Sequence, residues 1–278
     1  SLGQYNVVDT VKFHRPSKRL GQNFLRDPDV ASRIVSFAGL SRNDVVLEPG
    51  AGYGTLTEHL QRVAGRVIAV EKDRRLASYL RSRFPEHSSV QVVEGDVLKT
   101  SLPPFNKIVG TPPYNISSKL VLLLLSSKLE TAHMVFQKEF GERLLAQPGT
   151  PDYGRLSVTA QRKLQIKPLL PIPRTAFEPR PKVDSILLSF APRTPRTNVD
   201  EEVFEDLVRG IFVQRRRLLK GALTHYLKLK IGKNRAKEAV SAMTLPDARV
   251  YQLSVEQLED LSSQLAGLLD KTRVGNQC

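Results

Sequence analysis

Three glycines stand at alternate positions in the stretch LEPGAGYGTLT: Gly50, Gly52 and Gly54. The apolar residues before them predict a β-strand, and the residues after them predict a helix. Glycine lets the backbone turn sharply at such a point and leaves no Cβ in the way of a ligand. A tight turn that binds nothing would need the same glycines, so this motif alone leaves both interpretations open.

Acidic residues at the ends of the next two predicted strands favour a ligand site. Glu71 ends one strand, in IAVEKD, where a carboxylate can accept both hydroxyls of a ribose. Asp96 ends the following strand, in EGDVL, where a carboxylate can accept a hydrogen bond from an adenine amino group. The carboxyl ends of parallel strands face one crevice, which is where open α/β sheets bind ligands.

The identity of that ligand depends on the charges beside the turn. The glycine spacing would allow a dinucleotide, whose pyrophosphate would lie at the helix N-terminus. Glu48 stands at the start of the turn, and an anion there would repel a pyrophosphate. Acids at positions 48, 71 and 96 suit a ligand that carries a ribose, an adenine, an ammonium and a sulfonium. The pattern therefore favours S-adenosylmethionine over NAD as the cofactor.

The stretch GTPPYNISS predicts a stiff loop at the same edge of the sheet. An exocyclic amine of a nucleobase is a poor nucleophile, because its lone pair is delocalised into the ring. Two acceptors on its N–H groups would free that lone pair, and the candidates are the Thr111 hydroxyl and a carbonyl between Pro112 and Pro113. Tyr114 offers a face on which a flipped base can stack. An ordinary proline-rich turn is the alternative.

The elements that position these residues alternate between short apolar runs and helical stretches from about residue 30 to residue 190. This alternation predicts an α/β fold with a parallel, Rossmann-like sheet covered on both faces. A segment rich in Pro, Thr and Arg, Ala191 to Asp200, has the composition of a linker. We predict a catalytic domain that binds S-adenosylmethionine over residues 1–193, with a basic N-terminal segment over residues 1–25.

The strand signals stop after the linker, and a small all-helical domain is predicted over residues 194–278. DEEVFEDLVRGIFVQRRRLLKGAL repeats apolar residues at helical spacing and predicts a helix that continues past Ile211. SVEQLEDLSSQLAGLL predicts another helix, opened by a capping box of Ser254 and Gln257.

The bulk composition points to a partner that is a polyanion. Lys and Arg number 42 against 28 Asp and Glu, for a formal charge of +14. Such a surplus is typical of nucleic-acid binding, less often of an anionic membrane, although a generic basic surface is also common. Cys278 is the single cysteine, so no disulfide forms within the chain and no cysteine-based metal site is expected. The histidines show no metal-ligand spacing. The N-terminal residues contain no apolar core of a signal peptide, so we expect the protein to be cytoplasmic.

Six motifs in a fixed order identify a family resemblance: KRLGQNFL, LEPGAGYGTLT, VEKD, EGDVL, TPPYNISS and FEPRPKVDS. From about residue 13 to residue 221 the chain strongly resembles the ribosomal RNA adenine N6,N6-dimethyltransferases, the KsgA family of bacteria with its archaeal and eukaryotic counterparts. The resemblance implies methyl transfer from S-adenosylmethionine to N6 of two adjacent adenosines. These would lie in the 3'-terminal hairpin of small-subunit ribosomal RNA and be methylated during ribosome biogenesis.

The resemblance also implies roles for individual residues. Asn23 and Leu25 would contact the methyl donor, and Phe177 would face the target base from the side opposite Tyr114. The residues expected to bind the donor are Gln22, Asn23, Leu25, Glu48, Gly50, Gly52, Glu71, Lys72, Asp96, Val97 and Thr111. The residues expected to act in catalysis are Thr111, Pro112, Pro113, Tyr114 and Phe177.

The loop departs from the family at two positions. Its usual sequence is Asn-Leu-Pro-Tyr, whereas this chain has Thr111 and Pro112 in the first two places. A threonine hydroxyl can also accept a hydrogen bond, but its reach is shorter than that of an asparagine amide. We expect an active enzyme that is slowed by this exchange. Two alternatives stay open: a non-catalytic RNA-binding assembly factor, and the related large-subunit methyltransferase of the antibiotic-resistance type.

Basic residues outside these motifs are candidates for RNA contacts, with a solvated surface as the alternative. Most of them cluster on the helix predicted after Ile211. The candidates are Lys18, Arg19, Lys182, Arg215, Arg216, Arg217 and Lys220. The expected partner is the RNA of the immature small ribosomal subunit, with no membrane partner and with the protein as a monomer.

Overall fold

The computed structural model of the protein describes residues 22–196 and 198–274. The strands are β1 (Phe24–Leu25), β2 (Val45–Pro49), β3 (Arg66–Glu71), β4 (Val90–Glu94), β5 (Lys107–Gly110), β6 (Thr131–Gln137), β7 (Leu164–Ile172), β8 (Phe177–Glu178) and β9 (Ser185–Pro192). The helices are α1 (Pro28–Ala38), α2 (Thr55–Val63), α3 (Arg74–Arg83), α4 (Ser117–Ser126), α5 (Lys138–Leu145), α6 (Arg155–Lys163), α7 (Glu201–Phe212), α8 (Leu219–Ile231), α9 (Lys233–Ala242) and α10 (Val255–Val274).

The described chain divides into two compact units. The first holds residues 22–120, 134–136 and 171–185, and the second holds the remaining described residues. The sequence predicted one boundary, after residue 193, whereas the two units alternate along the chain. Compactness does not test what either predicted domain does, so the division into a catalytic domain and an RNA-binding domain stays a prediction.

Parallel strands form the centre of the first unit, in the order β4-β3-β2-β5. Leu47 on β2 lies opposite Ile68 on β3 and opposite Ile108 on β5, and Val67 pairs with Val90 on β4. Strands β2 and β3 are buried along nearly their whole length, as expected of parallel strands that are covered on both faces. The predicted α/β fold with a parallel sheet is therefore confirmed.

A short antiparallel pair in the first unit joins two of the sequence motifs. Leu25 on β1 lies opposite Phe177 on β8, and the Arg26 amide donates to the Ala176 carbonyl at 2.9 Å. The pairing places the GQNFL segment beside the FEPRPKVDS segment. Two-residue strands are too short to show a periodic pattern, so this pairing could not be predicted from local sequence.

The second unit contains most residues of the strand row β6-β9-β7 and most of the helices. Strand β7 was not predicted, since Pro168 and Pro171 interrupt its pattern. It is the last strand of the row, which is a position where proline is tolerated because one side needs no ladder hydrogen bond. Within residues 22–196 and 198–274, no helix has both the length and the hydropathy needed to span a bilayer.

Residues 198–274 contain helices and no extended strand, which confirms the predicted helical character of the C-terminal region. The predicted capping box is also present: the Ser254 amide donates to Gln257 at 3.0 Å, and the Gln257 amide donates to the Ser254 hydroxyl at 3.1 Å. The apolar core of this unit is built by Tyr153, Phe204, Leu207, Ile211, Leu223, Leu227, Leu258 and Leu261.

A buried arginine connects three helices of the second unit. Arg162, near the end of α6, is 1% exposed, and its guanidinium lies 4.2 Å from the centroid of the Phe204 ring. Its Nε lies 3.0 Å from a carboxylate oxygen of Glu259 on α10, and another of its nitrogens lies 2.8 Å from Glu201 on α7. Two charges withdrawn from water remain stable only as a pair, so each depends on the other.

Replacing Arg162 by Met should lower the free energy of unfolding by about 3–5 kcal/mol, because Glu259 would stay buried without its main partner. Arg196 contacts the same carboxylate from a half-exposed position, so Arg196→Met is the matched control and should cost less than about 1 kcal/mol. Urea denaturation of both variants checks this. Equal losses would show that the buried pair contributes no more than a surface one.

Candidate active site

A cavity opens at the carboxyl ends of the parallel strands in the first unit. Its volume is about 680 Å³, including the part that is open to solvent. Many of its lining residues are ones that the sequence predicted: Gln22, Asn23, Gly50, Glu71, Lys72, Asp96, Val97, Thr111 and Pro113. The structure thus brings together motifs that are up to 90 residues apart in the chain.

The glycine turn allows two close approaches. Gly50 has a φ of 73°, and a Cβ built on it would lie 2.9 Å from Cδ of Pro113. Gly52 has a φ of 60°, and a Cβ there would lie 2.8 Å from the ring of Phe24. Any other residue at either position would be strained in its backbone and would push away a neighbour that lines the cavity. These glycines therefore let the turn pack closely against Pro113 and Phe24, two residues that line the cavity.

The side chain of Glu71 ties the end of β3 to this turn. One carboxylate oxygen accepts from the Gly52 amide at 2.8 Å, and the other accepts from the Asp73 amide at 2.9 Å. Burial raises the pKa of Glu71, and the two backbone N–H groups act in the opposite direction. Each oxygen keeps a further lone pair that can accept a ribose hydroxyl.

Asp96 is the more exposed acid of the cavity wall. Its carboxylate accepts from the Leu98 amide at 3.0 Å and pairs with the Lys72 ammonium at 3.1 Å. Partial burial opposes ionisation, but the amide hydrogen bond and the lysine together lower the pKa of Asp96. Asp96 is therefore an ionised acceptor at the mouth of the cavity.

Three residues that were predicted to bind the donor are not among the described residues that line the cavity. Leu25 is buried in the β1–β8 pair, and Gly52 supports the wall through its amide. Glu48 is 2% exposed and accepts a hydrogen bond from the Thr57 hydroxyl at 2.6 Å. Their assignment to the donor site remains a prediction.

The environment of Glu48 changes the charge argument made from the sequence. Burial raises its pKa to about 8, although the hydrogen bond from Thr57 acts against this. The carboxyl group is therefore mostly protonated at neutral pH. Contrary to our expectation, it carries too little charge there to exclude a pyrophosphate.

The proline loop contacts the glycine turn directly. Thr111 and Pro113 line the cavity, whereas Pro112 is buried against Gly50. Tyr114 begins a single 3-10 turn that leads into α4, and its ring meets Phe177 edge-on with centroids 6.4 Å apart. The residues predicted to act in catalysis therefore form one continuous group.

Several residues of this region were not recognised as site residues from the sequence: the cavity-lining Phe24, Val70, Gly95, Asn115 and Ile116, and Ser185, which contacts Tyr114. Phe24 and Asn115 line the cavity, and each lies inside a motif that had been identified for its neighbours. Ser185 was not predicted as a site residue, yet its hydroxyl lies 2.5 Å from that of Tyr114. Its position at the end of the FEPRPKVDS motif was the signal available.

The structure corrects the position of the basic cluster in the second unit. Arg215, Arg216 and Arg217 were predicted on a helix, but α7 ends at Phe212 and α8 begins at Leu219. Backbone hydrogen bonds to the 249–251 segment, such as Val250 to Arg217 at 3.1 Å, replace those of a continuing helix.

The other candidates for RNA contacts lie in several places. Arg215 donates to the Tyr153 carbonyl at 2.8 Å, whereas Arg216, Lys220 and Lys182 are exposed. Lys18 and Arg19 lie outside the described residues. Across the part of the chain that the structure describes, no three His, Cys, Asp or Glu side chains form a group that could hold a metal ion.

Comparisons with known sequences found a matching family model and many similar proteins. The family model for ribosomal RNA adenine dimethylase matches residues 13–266. A probable ribosomal RNA small subunit methyltransferase A from Thermococcus onnurineus is 42% identical over 255 residues, which are 90% of this chain and 93% of the relative. A protein of the same name from Methanosarcina barkeri is 36% identical over 273 residues, covering 96% and 94%.

Two solved structures are similar over most of the chain. A dimethyladenosine transferase from Plasmodium falciparum superposes with a TM-score of 0.77 at 26% identity, covering 88% of this chain and 98% of that one. The 23S rRNA methyltransferase ErmE superposes with a TM-score of 0.65 at 32% identity, covering 88% and 100%.

The buried Glu48 predicts a pH dependence of stability. The side chain ionises near pH 4.5 when unfolded but holds its proton to about pH 8 when folded. Between these values the folded state binds one proton more, so stability falls as pH rises, by at most about 1.4 kcal/mol per pH unit. Glu48→Gln cannot titrate, so the stability of the natural protein relative to this variant should fall between about pH 5 and pH 8.

Urea denaturation of both proteins at a series of pH values measures this difference. Comparing the two removes the contributions of all other titrating groups. A difference that stays constant with pH would mean that Glu48 is ionised in the folded protein.

Proposed function

The chain belongs to the family of ribosomal RNA adenine dimethylases, and we propose that it methylates N6 of two adjacent adenosines in the 3'-terminal hairpin of small-subunit ribosomal RNA during ribosome biogenesis. As a member of that family it is an S-adenosylmethionine-dependent methyltransferase that acts on adenine in ribosomal RNA. The observation that carries the finer proposal is the cavity in which Gly50, Glu71 and Asp96 meet the Thr111 loop.

The cavity fits the methyl donor. When bound, S-adenosylmethionine supplies an electrophilic methyl carbon on a sulfonium sulfur. Glu71 would accept hydrogen bonds from the ribose hydroxyls. Asp96 would accept a hydrogen bond from the adenine amino group, which would then share the carboxylate with Lys72. The rest of the ligand would lie beside the glycine turn, since Gly50 lines the cavity.

The loop fits the acceptor amine. The Thr111 hydroxyl and the Pro112 carbonyl would accept from its two N–H groups, which favours a pyramidal nitrogen with a free lone pair. The adenine ring would stack on Tyr114, with Phe177 edge-on beside that tyrosine. Catalysis would then consist mainly of holding the amine at the right distance and angle.

The choice of the small subunit is supported by the relatives named above. Those of 42% and 36% identity carry small-subunit names and extend over at least 90% of the chain. The superposition with the dimethyladenosine transferase also has a higher TM-score than that with the large-subunit enzyme. A cytoplasmic location, a monomeric state and the RNA contacts of the basic residues remain predictions.

Incubation with labelled S-adenosylmethionine and immature small subunits should place label in dimethyladenosine of the small-subunit RNA. Tyr114→Ala removes the stacking face and should lower the rate of methylation roughly 5- to 150-fold, since base–aromatic stacking contributes about 1–3 kcal/mol. Digestion of the RNA and chromatography of the nucleosides measure the labelled dimethyladenosine that each protein forms. Label in large-subunit RNA would favour the resistance type of enzyme. If the natural protein gives no more label in dimethyladenosine than Tyr114→Ala does, a non-catalytic assembly factor would be favoured.

The Thr111 hydroxyl can be tested with two variants of opposite effect. Thr111→Val keeps the shape but removes the acceptor, and kcat should fall roughly 100-fold, by analogy with the loss of one oriented hydrogen-bonding group. Thr111→Asn restores the residue usual in the family and should match or exceed the natural protein. Single-turnover methylation measures the rate, with donor affinity from calorimetry as the control. Full activity of Thr111→Val would show that the hydroxyl is not an acceptor.

A further inference from the structure

A buried serine contacts the tyrosine on which the target base is proposed to stack. Ser185, the first residue of β9, is 1% exposed, and its hydroxyl lies 2.5 Å from that of Tyr114. The tyrosine ring also meets Phe177 edge-on at an interplanar angle of 65°. Tyr114 is thus held at its hydroxyl end by a polar contact and along its ring by an apolar one.

We propose that Ser185 is a positioning residue for methyl transfer, which fixes the plane of the Tyr114 ring and thereby the orientation of the adenine stacked on it. The inference rests on the proposed function, in which Tyr114 is the stacking face. Ser185 does not line the donor cavity and is not expected to touch either substrate.

The physical reason lies in the rotational freedom of a tyrosine. An edge-on aromatic contact restrains the ring weakly, because offset and tilted arrangements have similar energies. A hydrogen bond at the far end of the ring restrains both side-chain torsions at once. Since the reacting atoms must approach within about 3–3.5 Å along a defined line, a small tilt of the base lowers the rate steeply.

The segment that precedes Ser185 is itself held by hydrogen bonds. The neighbouring Asp184 carboxylate accepts from the Arg174 amide at 2.9 Å, and the Arg174 guanidinium donates to the Lys182 carbonyl at 3.3 Å. These contacts brace the loop that leads from β8, which carries Phe177, to Ser185. The serine hydroxyl therefore presents a fixed point to Tyr114.

In this proposal the hydroxyl pair holds the Tyr114 ring in place and does not move a proton. Burial raises the pKa of Tyr114, although the hydrogen bond with Ser185 acts in the opposite direction, so the phenol stays neutral at the working pH. Removing either hydroxyl should change the orientation of the Tyr114 ring without changing the shape of the pH–rate profile.

A double-mutant cycle tests the proposal: Ser185→Ala, Tyr114→Phe and the double variant, with kcat, KM for small-subunit RNA and donor affinity measured for each. Each single change should lower kcat roughly 10- to 100-fold and leave KM within about threefold. The double variant should lose no more than either single one, because both remove the same hydrogen bond. Ser185→Thr keeps the hydroxyl and should recover most of the rate.

The control is Tyr153→Phe, which removes another buried tyrosine hydroxyl, one that donates to the Leu253 carbonyl at 2.7 Å in the second unit. It should lower thermal stability without lowering kcat. Tyr114→Phe probes the same bond without altering β9, so a poorly folded Ser185→Ala does not prevent the test. Natural kcat in Tyr114→Phe, or additive losses in the double variant, would overturn the positioning role. Absence of dimethyladenosine with the natural protein would instead overturn the proposed function.

Discussion

The close packing of the proline loop on the glycine turn is the constraint on which the candidate site depends. Strands β2 and β5 are neighbours, and their ends approach without intervening side chains: Gly50 faces Pro113, and Gly110 faces Pro49. A Cβ at Gly110 would lie 2.7 Å from the Pro49 ring, so a larger residue would push the two strand ends apart. In the proposed function one strand end holds the methyl donor and the other holds the acceptor, so this contact would set the distance over which a methyl group must move.

Three acids at neighbouring strand ends have different roles because their surroundings differ. Glu48 is buried and holds its proton at neutral pH, and its carboxyl group accepts a hydrogen bond from the Thr57 hydroxyl. Glu71 is also buried, but two backbone amides orient it toward the cavity. Asp96 keeps contact with solvent and with Lys72 and stays ionised. Burial thus separates one supporting acid from two that can receive ligand hydrogen bonds.

Motifs that depend on local backbone needs were predicted well. The glycine turn and the Ser254 capping box each reflect a requirement of a few neighbouring residues, and the structure contains both. The arginine cluster was placed wrongly, because its helical spacing continues while hydrogen bonds to residues 249–251 turn the chain away. The proline-containing strand β7 was missed because its place at the end of a strand row, not its composition, makes it a strand.

The sequence by itself determined the family, the parallel sheet and many of the residues that line the cavity, since the order of motifs and the spacing of apolar residues can be read without a structure. The tertiary structure decided which of those residues line the cavity, that Glu48 is neutral, and that Ser185 reaches Tyr114 across 71 residues of chain. The physical reason is that burial and hydrogen-bond geometry depend on neighbours brought together by folding, which no local pattern of residue types records.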